Sequence, residues 1–556
     1  MNKKVCSFPI LFALLALLIG TCAVVFPASA QAAPTSTGSI TVSGTVASSY
    51  DAYQIFSADV SDGDSDAKIA TDLAWASDAV RDAVLPVLHS AGMPNSQTTA
   101  QEAAEWLNTD SHLTSALSAQ LARSLQSSDA VSVALNAGTA AELPCGYWLI
   151  VADDDAIAQG EAGTAPIMAL VGGSAVTVKP KAATPKVQKH VLEDSTAAWQ
   201  KAADATVADD LYWRLSATVP AGLTAYDTYT VRFVDTMSAG LDPSKVAASV
   251  RVYVAAGADG GFDAVQAGKD GRAGTEPAKG WTDITAQCAT KVAADGKTFT
   301  VRTGDLIAAL GGADAFAAGA RVVAVYNAPL NGACNHGIAK GNPNEVYLCY
   351  PRSPFADQSG DAGFTRTPSD DACAYTWDLA LTKRGSDGDK PLAGAVLSIA
   401  DDRGRTLAAD GTWDAEGKAT VTTGKDGRVS VSGVDSGKLE VRELKAPKGY
   451  AAFEGTRSVT VKAEGLDVDQ VAAAKPKLTI TAESPLRADS ADGSTGSLEA
   501  SLINTPTGTP PSITTGGFMP STGDMAMYAA AAAAVAGAAL IVVALLVKRG
   551  GGSHKE

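Results

Sequence analysis

Histidine is scarce: five residues in a chain of 556, scattered as His89, His112, His190, His336 and His554. No group of them has metal-ligand spacing, so no metal centre is expected. There is no phosphate-binding loop, and neither a Ser/His/Asp nor a Cys/His grouping is evident. An enzyme with a bound cofactor is therefore not indicated. Basic charge is in deficit, with 44 Lys and Arg against 60 Asp and Glu and a net charge of −16. Without a basic stripe, nucleic acid is not an expected partner. Cysteine is also sparse. Two of the seven, Cys6 and Cys22, lie in the first thirty residues, leaving Cys145, Cys288, Cys334, Cys349 and Cys373. None sits in a CxxC pair, and the odd number leaves one thiol either free or paired elsewhere. Cys349 with Cys373, and Cys288 with Cys334, are the disulfide pairings the spacing leaves open.

Long apolar runs are confined to the two ends. Lys3 and Lys4 precede an apolar stretch over 8–19, and Ala28-Ser29-Ala30 supplies small residues for cleavage. Residues 1–30 thus have the layout of a secretory signal peptide. At the other end, Met519-Pro520-Ser521-Thr522-Gly523 is followed by an uncharged Ala/Val/Leu run over 525–547 and then by Lys548 and Arg549. About 23 apolar residues suffice to span a bilayer, and the basic residues after them hold the tail in the cytoplasm. The pentapeptide resembles the LPxTG sorting signal of sortase substrates, with Met519 in place of Leu. That resemblance implies attack by a sortase cysteine on the Thr522 carbonyl and release of Gly523 with residues that follow. The acidic charge suits a soluble protein held on an anionic cell surface.

Between these ends lie roughly 490 residues, enough for three or four domains. Residues 34–181 read as a β-domain with a helical insertion. Strand alternation over 39–46 and from 53 gives way to helical periodicity over 68–88, 100–107 and 113–125, then returns at 147–151, 167–171 and 175–178. Residues 185–371 and 373–505 are rich in short β-branched and aromatic strands separated by Gly/Asp/Ala loops, as in immunoglobulin-like sandwiches. Residues 506–518, rich in Pro, Thr, Ser and Gly, form a spacer ahead of the sorting signal at 519–556. The expected fold class is mainly β: tandem sandwiches, a helical insertion in the first domain and a C-terminal transmembrane sorting helix.

The third of these domains resembles the Cna B-type domains of SpaA-type pilins. Its opening strand reads Leu379-Ala-Leu-Thr-Lys383 and its closing strand Leu502-Ile503-Asn504. Between them, residues 439–450 resemble the pilin E-box, with Glu443 as its acid and an intact Ala-Pro-Lys-Gly-Tyr end. The resemblance implies an intramolecular isopeptide bond between Lys383 and Asn504, promoted by Glu443. First and last strands lie side by side in such a fold, and burial disfavours the charged forms of the amine and the acid. The middle domain resembles the Cna A-type domain of the same pilins. Lys189 lies in Val187-Gln-Lys-His-Val191, and Phe233-Val-Asp235 supplies the acid. For the amide, Asn344 is the first choice, with Asn342 and Asn327 as rivals. In the first domain the one lysine before Val178 is Lys68, so no such bond is expected there.

Val176-Thr-Val-Lys-Pro-Lys181 resembles the pilin motif, with Lys179 replacing its Tyr and Ala182 its Asn. The resemblance makes Lys181 the amine that resolves the sortase acyl intermediate of another subunit, although Lys179, Lys186 and Lys189 stand close by. Taken together, these resemblances imply a shaft pilin joined head-to-tail from Thr522 to Lys181. They also imply its partners: a class C pilin sortase, a housekeeping sortase, further copies of the chain, accessory pilins and peptidoglycan. A non-polymerising wall-anchored adhesin, or a minor tip or base pilin that binds host matrix or glycan, explains the anchor equally well but not the Lys181 motif. No cofactor is expected.

Overall fold

The computed structural model describes residues 36–508, apart from 65–66, 110–111, 181–183, 222–223, 259–260, 267–273 and 275. The expected signal peptide, most of the spacer, Thr522, Gly523, the 525–547 span and Lys181 lie outside the described residues. Among the described residues no helix is long and apolar enough to cross a membrane. The chain is mainly β, in tandem sandwiches.

In the first domain, strand Thr37–Val42 pairs antiparallel with Ala140–Pro144 and parallel with Val176–Val178. This small sheet faces a larger one made of Lys68–Trp75, Ser49–Asp62, Gly146–Ala152 and Ile167–Val171, with Ser132–Asn136 added to Ser49–Asp62. Ile40, Val42, Tyr50, Trp148 and Val171 fill the space between the sheets. Helices Asp78–Ser90, Ala100–Asn108 and Ser115–Gln126 cover the other face, burying Leu88, Leu121 and Leu125 against Ile55, Phe56 and Leu149. The first helix begins ten residues later than its expected start at 68, because Lys68–Trp75 pairs along Ser49–Asp62. Ser77 then caps it by accepting from the Val80 N–H, and one orphan donor of the first turn is satisfied. Thr99 and Glu102 form a capping box on the second helix.

The middle domain packs two sheets around one large core. One sheet runs Ala198–Gln200, Lys186–Glu193, Tyr212–Val219, Ala320–Asn327, Arg251–Ala256, Thr282–Asp283. The other runs Ala202–Asp204, Asp370–Tyr375, Asn342–Pro351, Arg232–Met237, Thr298–Arg302, Ala289–Val292. The expected boundary at 371–373 falls inside Asp370–Tyr375. That strand pairs with Asn342–Pro351 and Ala202–Asp204, while its Cys373 and Tyr375 pack into the core of the domain that follows.

The third domain opens with Trp377–Gly385, which pairs in parallel with the closing strand Ser497–Asn504. Its facing sheet contains Val396–Ala400, Gly437–Lys445 and Thr456–Glu464. Polar contacts fasten it to the middle domain. Asp204 accepts from Trp377 Nε1 at 2.6 Å and from the Ser436 backbone N–H at 3.0 Å. Arg403 and Arg405 both reach Asp209.

All five cysteines are free thiols, and neither expected pairing is formed. The register explains both. Cys373 lies opposite Pro343, six residues before Cys349 on the same strand, which separates the two by about 20 Å at the usual rise of a strand. Cys288 precedes Ala289, which pairs with Arg302 at the Arg232 end of strand Arg232–Met237. Cys334 packs at the other end, where a side chain at Gly240 would meet its Cα at 2.6 Å.

Candidate cross-linking sites

In the third domain the pleat places Lys383 and Asn504 on the inward face of adjacent parallel strands, two steps apart in register. Glu443 reaches them from strand Gly437–Lys445 of the facing sheet. The Lys383 ammonium contacts Asn504 Oδ1 directly and lies 3.1 Å from Glu443 Oε1. Asn504 Nδ2 donates to both carboxylate oxygens of Glu443 at 3.0 Å. The Phe453 N–H donates to Glu443 Oε2 at 3.1 Å, and the Phe453 ring lies 5.9 Å from Lys383 Nζ. The Lys383 and Glu443 side chains are fully buried. Burial pulls Lys383 down to about 8, against the attraction of Glu443. A smaller proton affinity makes the neutral, nucleophilic amine accessible at ordinary pH.

The middle-domain site has the same logic with different parts. Lys189 comes from strand Lys186–Glu193 in one sheet, while Asp235 and Asn344 come from neighbouring strands of the other. Lys189 Nζ contacts Asp235 Oδ2 directly, and both side chains are fully buried. Burial pulls Lys189 down to about 8, opposed by Asp235, and raises Asp235, opposed by Lys189. Trp213 and Tyr326 face the amine, with ring centres 5.5 and 5.3 Å away.

Of the three asparagines the sequence leaves open, Asn344 is the one brought to this site, where its Nδ2 donates to Tyr326 Oη at 2.8 Å. Asn342 is committed elsewhere, accepting from Asn335 N–H and donating to the Asn335 and Ala374 carbonyls. Asn327 bonds Asp210 and the Leu211 N–H. Tyr326, which touches Lys189, Asp235 and Asn344, is absent from the residues singled out by sequence. Its only sequence signal is a place in the apolar strand Ala320–Asn327, nearly all of which is buried.

Lys68 of the first domain bonds the Ser174 carbonyl and Asp62 near the surface. A Cys/His grouping does exist, contrary to the expectation from sequence. Cys334 Sγ lies 3.6 Å from His336 Nε2, and His336 Nδ1 lies 2.9 Å from Asp378 Oδ1. The second contact lacks hydrogen-bond alignment, and burial together with Asp378 pushes the thiol up, away from a nucleophilic thiolate.

Residues 378–475 match the family model for the SpaA prealbumin-like fold domain. The chain is 31% identical over 143 residues to the trypsin-resistant surface T6 protein of Streptococcus pyogenes serotype M6, a match covering 24% of each protein. The chain thus spans about a quarter of that curated relative. Among solved structures it is similar to the T6 backbone pilin of the same serotype, with a TM-score of 0.45 and 16% identity over 85% of this chain and 98% of that one. It is also similar to the major pilin SpaD of Corynebacterium diphtheriae, with a TM-score of 0.41 and 15% identity over 86% and 100%. The family match is thus to residues 378–475, and the two solved structures named are of a backbone pilin and a major pilin.

Proposed function

We propose that this chain is the shaft subunit of a covalently polymerised, wall-anchored pilus, stiffened by one Lys–Asn isopeptide bond in each of its last two domains. The observation that carries this reading is the buried contact of Lys383, Glu443 and Asn504 on the first strand, the facing sheet and the last strand of one domain. A lysine buried with an asparagine and an acid at bonding range is costly as a mere ion pair. It is well placed as a reactant set. The Lys383 amine attacks the Asn504 carboxamide carbon, Glu443 polarises the amide and moves protons, and ammonia leaves. In the middle domain Lys189 supplies the amine, Asn344 the amide and Asp235 the acid.

Assembly follows from the ends of the chain. An exported precursor is held by its 525–547 segment while a class C sortase cleaves between Thr522 and Gly523. Lys181 of the next subunit then resolves the acyl enzyme, and repetition makes a homopolymer. Accessory pilins join it, and a housekeeping sortase attaches its base to peptidoglycan. Surface extracts boiled in detergent with reductant should give a ladder of high-mass species on an immunoblot, and Lys181→Ala should collapse it to monomer. A ladder unchanged by that substitution refutes Lys181 as the linkage residue. A wild-type chain running only as monomer refutes the shaft assignment.

A further inference from the structure

The two cross-linking sites differ in a way their shared chemistry does not explain. In the third domain the acid touches the amide itself, with Asn504 Nδ2 donating to both oxygens of Glu443. In the middle domain the acid is an aspartate, one methylene shorter. Among the described residues, Asn344 Nδ2 bonds only Tyr326, and Asn344 Oδ1 has no hydrogen-bond partner. The Tyr326 phenol lies between acid and amide. It donates to Asp235 Oδ2 at 3.0 Å and accepts from Asn344 Nδ2 at 2.8 Å and Lys189 Nζ at 2.9 Å. A phenol has one proton and two lone pairs, so two incoming donors leave its proton only one acceptor, Asp235. Tyr326 is fully buried. Among the described residues no hydroxyl stands between acid and amide in the third domain, where the two touch directly and the nearby ring is that of Phe453.

We propose that Tyr326 is a catalytic residue of middle-domain cross-linking, its phenol relaying a proton from Asp235 to the nitrogen that leaves Asn344. The inference rests on the isopeptide reading above. Lys189 first passes a proton to Asp235, giving a neutral amine and a neutral acid. The amine attacks Cγ of Asn344; the N–C bond forms and the carbonyl electron pair moves onto Oδ1. The amide nitrogen, now tetrahedral, regains a lone pair and becomes an acceptor. The hydrogen-bond chain then reverses. Asp235 donates to the phenol oxygen and the phenol gives its own proton to Nδ2. The C–Nδ2 bond breaks, its electron pair leaving with ammonia, and the carbonyl re-forms. Asp235 takes the surplus proton from the new amide nitrogen, so the site ends with a secondary amide, ammonia, a neutral Asp235 and an intact phenol. Aspartate plus tyrosine thus spans the distance that glutamate covers alone in the other domain.

The test follows ammonia loss by intact mass and peptide mapping, sampling the full chain at intervals after cell-free synthesis. Wild type should acquire both bonds. Tyr326→Phe keeps the ring and loses the relay, and should acquire the third-domain bond normally while the middle-domain bond slows about 100-fold or more, the usual weight of a positioned proton donor. The third-domain bond serves as an internal clock for synthesis and folding, and a thermal melt of the variant reports on the middle-domain fold. Placing 3,5-difluorotyrosine at 326 changes the acidity of the phenol with little change in shape, and should alter the rate of the middle-domain bond alone. Equal rates for wild type and Tyr326→Phe overturn the relay, as does a slow Tyr326→Phe alongside a difluorotyrosine chain of unchanged rate, which would make the phenol a spacer. A wild-type middle domain that never loses ammonia overturns the cross-link itself, a result readily told apart from the other two.

Discussion

Asn504→Ala tests the third-domain cross-link most directly. The substitution removes the electrophile and leaves Lys383 its contact with Glu443, so the lysine is not stranded without a counter-charge. The proposed bond would join residues 121 apart in sequence. By the chain-entropy relation used for disulfides, opening a loop of that size returns about 5 kcal/mol of freedom to the unfolded chain. In a domain of roughly 130 residues, 1 kcal/mol moves the midpoint by about 3–5 °C, so the third-domain transition should fall by about 15–25 °C in calorimetry. Intact mass supplies the second measurement, because each isopeptide bond expels one ammonia, about 17 Da. Wild type should be about 34 Da light and Asn504→Ala about 17 Da light after correction for the substitution. A variant still lacking two ammonias refutes Asn504 as the partner. A variant that loses the bond yet melts within about 5 °C of wild type refutes the claim that the cross-link dominates this domain's stability.

The three asparagines of the middle domain separate by the same mass measurement. Asn344→Ala should abolish that domain's ammonia loss, while Asn342→Ala and Asn327→Ala, whose amides are bonded elsewhere, should leave it intact. The junction between middle and third domains should weaken as pH rises. Burial and Asp204 push Glu193 up to about 8, while Asp194 and Asp435 are raised as well. Facing these acids are Asp204, Ser195, Ser436 and Arg403. A carboxyl raised on folding binds more protons in the folded state. Its stabilisation is full below about 4.5 and is lost as pH climbs towards 8. The melting midpoint should therefore drop between pH 5 and pH 8 in wild type and change less in Glu193→Gln; equal slopes in the two refute the assignment.

The third-domain site was legible from sequence because its three residues sit in local patterns: a first strand, a last strand and an E-box, whose order along the chain already implies their meeting. The middle domain was only partly legible. Lys189 and Asp235 stand in strand motifs, but Tyr326 carries no motif and becomes a participant only through the facing of two sheets. The helix start was misplaced because residues 68–75 suit helix and strand alike, and the choice is made by pairing with Ser49–Asp62 over a long range. The disulfide expectation failed for a related reason. Closeness in sequence or a flanked loop says nothing of register, and register sets Cys373 opposite Pro343, six residues from Cys349 along the neighbouring strand.

The placement of the two proposed cross-links would have unequal mechanical consequences. In the third domain, tension arriving at Trp377–Gly385 and leaving through Ser497–Asn504 would pass from Lys383 to Asn504 without crossing any other strand. In the middle domain, the incoming strand Lys186–Glu193 holds Lys189, but Asn344 lies one strand short of the outgoing Asp370–Tyr375. With the bond formed, load must still cross from Asn342–Pro351 to Asp370–Tyr375. There it meets five registered residue pairs, the parallel pairing with Ala202–Asp204, and the contact of Lys201 with Asp370. Lys201 also donates to the Lys189 and Asp371 carbonyls, tying the outgoing strand back to the incoming one. Backbone hydrogen bonds and one ion pair yield far below the strength of an amide. If the chain is a shaft subunit as proposed, this seam, rather than either proposed cross-link, is where the fibre should first lengthen under tension, and the third domain should stay folded after the seam has opened.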